Sequence, residues 1–246
     1  MRIAFLSDIH GNREALETCL AHARSQAPDR FVVLGDIVGY GADPAFCTET
    51  VAALAARGAV VVKGNHDQAI ERLAPTMNHD AMAAVVWTCG QLSDAHRSFL
   101  AGLPLTHRDG ERLYVHAGAD EPGDWPYITS DRGAELSLAA TDAAQVFSGH
   151  THMPVVFRLE ADGRCQGLVP AAGTPIRLDP GPRYQVVIGS VGQPRDGNPA
   201  AAYSILDLGE HSLTQHRLAY DHAAAAAKIM AAGLPPRLAL RLALGH

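Results

Sequence analysis

The stretch Arg2-Ile-Ala-Phe-Leu-Ser-Asp8-Ile-His10-Gly-Asn12 decides the fold, because an apolar run breaks there onto two polar side chains before a helical pattern begins. Arg2–Ser7 reads as a buried strand, and Asn12–Ser25 is amphipathic with helical spacing. Arg30–Leu34 then repeats the buried-strand pattern and again ends on a polar residue, Asp36. Alternation of this kind is α/β organisation. Working outward, Ala45–Arg57 has helical spacing with Pro44 placed for a first turn, and Ala59–Val62 reads as a third strand broken by Gly64.

Between Gln68 and Leu103 the pattern is mostly helical, with Pro75 and Gly90 expected as interruptions. Leu105–Arg108 and Glu111–His116 read as a hairpin turned at Asp109-Gly110. Ala119–Ser130, rich in Pro, Gly, Asp and aromatics, is expected to be a surface loop, and Gln145–Ser148 a short strand running into Gly149. From Val155 to Leu218 strands dominate: Val155–Leu159, Arg164–Val169 across a turn at Asp162-Gly163, Gln185–Gly189, Ala201–Asp207 and Ser212–Leu218. These imply a second sheet. Tyr220–Ala232 and Pro236–Leu244 read as closing helices over about 220–246, separated by Gly233 and the Pro235-Pro236 pair, with the task of covering the core.

Length and composition narrow the class of protein. A chain of 246 residues with 47% hydrophobic residues fits one globular domain spanning 1–246. The net charge of −6, with no run rich in Lys or Arg, argues against a partner that is long nucleic acid and leaves small phosphorylated substrates open. Cys19, Cys47, Cys89 and Cys165 are far apart and form no CxxC pair, so they read as buried thiols of a reducing compartment, which points to the cytoplasm. No secretory leader is read at the start. No apolar stretch reaches membrane-spanning length, so no membrane association is expected. Oligomeric state has no signature in the sequence.

Five polar clusters carry the chemistry: Asp8-Ile-His10; Gly35-Asp36 with Gly39; Gly64-Asn65-His66-Asp67; His116 in Val-His-Ala-Gly; and Gly149-His150-Thr-His152. Each follows a strand-like run, and loops after strand C-termini converge on one edge of an α/β sheet. Carboxylates, imidazoles and one carboxamide, without cysteine, suit a hard or borderline divalent ion such as Mn²⁺, Fe or Zn²⁺. Any one cluster alone is common, and a single His after a strand is more often structural than a ligand.

In their order and contexts together, the five clusters resemble the calcineurin-like metallophosphoesterases, whose signature is Asp-x-His, Gly-Asp, Gly-Asn-His-Asp/Glu, a separate His and Gly-His-x-His. The resemblance covers most of the chain. Gly35–Gly41 and Gly189–Gly197 are similar to the smaller bacterial and archaeal members, which include phosphodiesterases. The resemblance implies an αββα sandwich of two mixed sheets flanked by helices, with a dinuclear metal site at one sheet edge. It implies that Asp8, His10, Asp36 and His152 hold one ion, that Asp36, Asn65, His116 and His150 hold the other, and that Asp36 is the bridge. The cofactors would be two divalent metal ions, Mn²⁺ first, with Fe, Zn²⁺ or Ni²⁺ as alternatives. The implied activity is phosphohydrolysis of a phosphodiester or phosphomonoester by attack of a metal-bridging hydroxide. A protein phosphatase and a dinucleoside polyphosphate hydrolase are the alternatives within the enzyme class. A catalytically silent protein-binding scaffold on the same fold is disfavoured, since all seven ligand positions and His66 retain usable side chains.

By the same resemblance His66 protonates the leaving group or stabilises charge developing on phosphorus. Asp67 then either orients His66 or serves as a helix N-terminal carboxylate. Three further positions are candidates for substrate contact. Arg195, in a Gly- and Pro-rich loop, can present a guanidinium fork to phosphate or brace the loop through a salt bridge with Asp196 or another acid. Tyr40 follows the Asp36 cluster and can line the pocket. His79, after Asn78, can face substrate or be structural. Trp125 can stack on a base or cover the core.

Overall fold

The computed structural model describes residues 1–72 and 77–246. Pro75, expected to interrupt a helix, lies outside them. Strand β1 (Arg2–Leu6) pairs in parallel with β2 (Arg30–Val33), and β2 with β3 (Val60–Val61). Helix α1 (Arg13–Ser25) joins the first two strands, and Asn12 caps it by accepting from the Ala15 N–H. Helix α2 (Pro44–Ala55) joins the next two, with Pro44 in its first turn as the sequence requires.

Three helices follow: α3 (Asn65–Ala69), α4 (His79–Gln91) and α5 (Asp94–Ala101). Gly90 does not interrupt α4. The helix runs one residue past it and stops where Ser93 caps α5, so capping, not glycine, sets the break. The hairpin β4 (Thr106–Asp109) and β5 (Arg112–Val115) pairs Asp109 with Arg112. Then come α6 (Asp131–Ala139), unassigned from sequence, β6 (Gln145–Ser148), β7 (Val155–Leu159), β8 (Cys165–Leu168) and the short β9 (Pro175–Arg177), also unassigned. The chain finishes with β10 (Arg183–Val187), β11 (Ala201–Asp207), β12 (Ser212–Leu218), α7 (His222–Ala231) and α8 (Pro236–Leu244).

The strands form two mixed six-stranded sheets, ordered β3-β2-β1-β11-β12-β9 and β4-β5-β6-β10-β7-β8. The second sheet expected from the sequence is present, and the C-terminal strands are shared between the two sheets. β11 pairs antiparallel with β1, carrying β12 and β9 into the first sheet, while β10, β7 and β8 complete the second around β6. Neither sheet closes without the other half of the sequence.

Burial on both faces explains the unbroken apolar strands. Ile3 and Phe5 point into the layer between the sheets, where Phe5 stacks on Phe147 at 4.4 Å and meets Tyr114 edge-on at 5.4 Å. Ala4 and Leu6 face the other way, onto Leu16 and Leu20 of α1. Burying a side chain the size of Phe5 contributes about 1.5–3 kcal/mol. The result is a helix–sheet–sheet–helix sandwich. α7 and α8 pack with Tyr40 and with Ala81 and Ala84 of α4, so the chain's last helices touch the edge where the polar clusters lie.

Candidate metal centre

Five polar side chains at that edge sit in left-handed backbone. Asp8, His10, Asp36, His150 and His152 have φ between 51° and 66°, a region that costs an L-residue about 1–2 kcal/mol. The left-handed turn re-aims the side chain just past a strand end toward the common edge. Cross-loop hydrogen bonds hold these turns: the Asp8 N–H donates to the Gly35 carbonyl (3.1 Å), His10 N–H to Asp36 (2.9 Å), Gly149 N–H to His116 (2.9 Å) and Gly192 N–H to Asp8 (2.9 Å). Strain concentrated in one spot of the fold is a mark of a functional site.

Two glycines permit the loops to approach this closely. A Cβ on Gly64 would fall onto the Asp36 carboxylate and backbone, and one on Gly149 onto the Ser7 and Asp8 side chains. Gly149→Ala is therefore expected to destabilise the fold by about 1–3 kcal/mol through overpacking, and to lower metal content with it. A denaturation midpoint and metal stoichiometry equal to wild type would show that the approach is not tight.

The ring nitrogens identify what the cluster needs. Nδ1 of His10 donates to the Val38 carbonyl (3.1 Å), Nδ1 of His116 to Leu34 (2.7 Å) and Nδ1 of His152 to Gln193 (2.6 Å). A carbonyl only accepts, so these protons sit on Nδ1, and a ring that carries this proton alone turns a bare Nε2 inward. Yet His10 Nε2 lies 3.1 Å from His152 Nε2, and His116 Nε2 lies 3.1 Å from His150 Nδ1 and 3.2 Å from Asn65 Oδ1. Lone pairs facing one another at that distance repel unless a cation stands between them. The donor set therefore fits divalent metal, and backbone carbonyls fix each ring as outer partners of metal-ligating histidines do.

Asp36 lies where two groups of ligands meet. Its Oδ1 accepts from the His66 N–H at 2.8 Å, while Oδ2 is 3.5 Å from His10 Nε2 and 3.4 Å from His116 Nε2. Asp8 accepts the His150 N–H on both oxygens (3.1 and 3.0 Å) and holds Oδ1 3.3 Å from His152 Nε2. The candidate ligand atoms fall into two compact groups, Asp8, His10, Asp36 and His152, and Asp36, His116 and His150, sharing Asp36. All of these residues are buried.

Electrostatics agree. Burial works against charge on Asp8, but His152 and then His116 outweigh it and hold the carboxyl well below its usual range. Asp36 is likewise held low, mainly by His116 and His66 against the penalty of burial. Burial also opposes charge on His116, yet Asp36 and then Asp8 raise its pKa to about 9. Burial and the His116 charge press His150 down to about 3. Two buried carboxylates demand positive charge, and the cluster draws a proton onto one imidazole when no ion supplies it.

The remaining candidates divide. His66 lines a cavity of about 250 Å³ with Asp36, Asn65, Tyr40, Trp125, Tyr127, His150, His152 and Arg195. Its buried Nδ1 has no hydrogen-bond partner among the described residues, and burial lowers its pKa to about 4. Tyr40 packs between His10 and His66, with ring centres 4.6 and 4.4 Å away. His79 is not brought to this cavity: its side chain is 95% exposed at the start of α4, 3.6 Å from Asp80.

Asp67 does not reach His66, which corrects the orienting role. Its Oδ1 accepts from the N–H groups of Ile37 (2.9 Å) and Val38 (3.3 Å) and its Oδ2 from Gly64 N–H (3.0 Å), so both oxygens stitch the Asp36 loop to the first turn of α3. The helix-terminal alternative is the one the geometry carries.

Arg195 does not brace its loop through Asp196, which pairs with Arg217. Its Nη2 donates to Gln193 Oε1 at 2.9 Å and its buried Nε has no partner among the described residues. Tyr127, missed in the sequence, stacks on His150 at 4.1 Å although 58% exposed, and Trp125 meets His116 edge-on at 5.7 Å. Only the aromatic richness of the loop could have pointed to Tyr127.

A mixed two-sheet sandwich with strained, buried carboxylate and imidazole loops at one edge defines a metal-binding α/β protein of the phosphoesterase kind. The family model described as a calcineurin-like phosphoesterase superfamily domain matches residues 1–211, and the chain belongs to that superfamily. An uncharacterised protein of Methanocaldococcus jannaschii is 33% identical over 250 residues, covering 99% of this chain and 98% of its own. The crystal structure of a metallophosphoesterase from Sphaerobacter thermophilus is 38% identical, covers 100% of this chain and 99% of its own, and superposes with a TM-score of 0.89. A hypothetical protein from Pyrococcus horikoshii OT3, 20% identical with coverage of 100% and 98%, shares the fold at a TM-score of 0.81.

Proposed function

We propose that this protein is a dinuclear metal-dependent phosphohydrolase that cleaves a phosphodiester or phosphomonoester of a small substrate. The carrying observation is Asp36 Oδ2, placed 3.5 and 3.4 Å from bare imidazole nitrogens belonging to the two ligand groups. Asp8, His10, Asp36 and His152 would hold one ion and Asp36, Asn65, His116 and His150 the other. When bound, two divalent ions acidify solvent and neutralise charge on a phosphate undergoing in-line displacement. Donors of oxygen and nitrogen only, with Cys19 and Cys47 buried elsewhere in the core, favour Mn²⁺, with Fe, Zn²⁺ and Ni²⁺ as alternatives. Four unpaired cysteines support a reducing, cytoplasmic setting.

The chain's own groups then divide the work. His66, lining the cavity beside the ligands, is placed to protonate a leaving oxygen. Arg195, with no carboxylate partner among the described residues, offers its guanidinium to a non-bridging phosphate oxygen. Asp67 acts only through the backbone of the Asp36 loop. The exposed Tyr127 ring over His150, with Trp125 beside it, favours a substrate with a planar group next to the phosphate.

The test is a panel of bis(p-nitrophenyl) phosphate, p-nitrophenyl phosphate and cyclic nucleotides assayed with each metal. Metal-dependent release of p-nitrophenol or nucleotide is expected; no turnover of any member with any metal would overturn the reading. Arg195→Lys keeps the charge but loses the planar fork. It is expected to lower kcat/KM about tenfold with metal content and melting temperature close to wild type. A variant that unfolds would make Arg195 a loop brace.

A further inference from the structure

α8 lies farthest along the chain from the metal clusters, yet it supplies two arginines to their surroundings. Beside the metal cavity, with Tyr40 lining both, is a second cavity of about 350 Å³ bounded by Asn78, His79, Asp80, Arg237 and Arg241. Arg195 lines the metal cavity with its Cζ 5.7 Å from the Tyr40 ring centre. Three guanidinium groups thus line cavities that share one tyrosine, in a chain whose net charge is −6.

Among the described residues no carboxylate forms an ion pair with these arginines, although Asp80 lines the cavity with them. Asp196 pairs with Arg217, and Asp80 lies 3.6 Å from His79. Arg241 uses Nε on the His246 main-chain oxygen, and neither of its Nη amines, nor any guanidinium nitrogen of Arg237, has a partner among the described residues. Burial, followed by the Arg195 charge, pulls the Arg241 pKa down to about 10 and outweighs the smaller raising effects of Tyr40 and Asp80. Like charges crowded around a half-buried cavity favour an anion between them.

We propose that the Arg237–Arg241 cavity is a second phosphate subsite, so that the substrate is a phosphoester carrying another phosphate. This rests on the hydrolase reading, which puts the scissile phosphate at the metals. The two cavities are distinct and meet at Tyr40 and Asn78, so the proposed substrate carries its phosphates on a carbon framework, as in a nucleoside 3′,5′-bisphosphate. Arg195, facing Tyr40 from the metal cavity, contacts the scissile group, and α8 reads the distal one.

The test is calorimetric titration of Mn²⁺-loaded protein with adenosine 3′,5′-bisphosphate, AMP and ADP, with ligand integrity checked by chromatography. If the bisphosphate is turned over, the same comparison is read as kcat/KM. The bisphosphate is expected to bind about tenfold or more tightly than AMP, the scale of a charge-assisted fork. That preference should shrink at least tenfold in R237Q/R241Q and part of the way in R237Q, whose exposed side chain can be replaced without disturbing the core. Equal binding of bisphosphate and AMP, a preference that survives both substitutions, or ADP binding as tightly as the bisphosphate would each overturn the subsite. Binding is measured without turnover, so a protein inert toward p-nitrophenyl esters would sink the hydrolase reading separately. Normal turnover without bisphosphate preference would sink this inference alone.

Discussion

Asp36→Asn is expected to lose at least one metal ion per chain and to cut turnover by about 10³-fold or more, while the protein stays folded. The rate loss follows from removing a shared charge worth several kcal/mol to the developing phosphate. Retention of the fold follows from the contacts Asp36 makes. Its Oδ1 accepts the His66 N–H, which a carboxamide oxygen can still do, and the new NH₂ can donate to one of the bare nitrogens, His10 Nε2 or His116 Nε2, near Oδ2. A hydrogen bond would then replace what the ion holds in the wild type. A chelator should therefore lower the melting temperature of the wild type and shift that of Asp36→Asn much less, because ligands that bind only the folded state stabilise by mass action. Two tightly held ions by elemental analysis, together with near-normal turnover in Asp36→Asn, would remove the basis of the dinuclear assignment.

The sequence makes the first three strands and the polar clusters at their ends legible for the same reason. Each buried strand ends on a polar side chain, and strand ends on one edge of a sheet must converge. What it hides is whatever depends on pairing between distant segments. β11 looks no different from β10 as a strand, yet one joins β1 and the other β6, a choice made by inter-sheet packing around Phe5, Tyr114 and Phe147 and not by local pattern. The Asp67 role is hidden likewise. A carboxylate after His66 suits a His–Asp pair, and only the fold shows that Ile37, Val38 and Gly64 bring their backbone N–H groups to it first. The carbonyls of Leu34, Val38 and Gln193, which set three imidazole tautomers, leave no trace in residue identity because every residue has one. α8 reads as a core cover, and half of it is one: Leu238, Ala239 and Leu242 are buried while Arg237 and Arg241 face a cavity.

His66→Ala is expected to keep both metals and lose about 10²–10⁴-fold in rate, the range of a positioned proton donor. Metal retention follows from how His66 serves the centre. Its contact with Asp36 runs from the backbone N–H to Asp36 Oδ1 at 2.8 Å, and truncation at Cβ leaves that bond in place. The ring itself lines the cavity, packed edge-on to His10 at 4.9 Å and against Tyr40, so its removal opens space beside the ligands without withdrawing a donor from them. Asn65, flanking His66, keeps its Oδ1 3.2 Å from His116 Nε2, and Asp67 keeps the backbone N–H groups of the Asp36 loop. The chemistry should register in the leaving group. p-Nitrophenolate departs without a proton, so the rate deficit should be small for p-nitrophenyl esters and large for alkyl esters of the same phosphate. Equal deficits for both would exclude proton donation and leave His66 a stabiliser of charge on phosphorus. Loss of metal from His66→Ala would move it among the residues that build the centre.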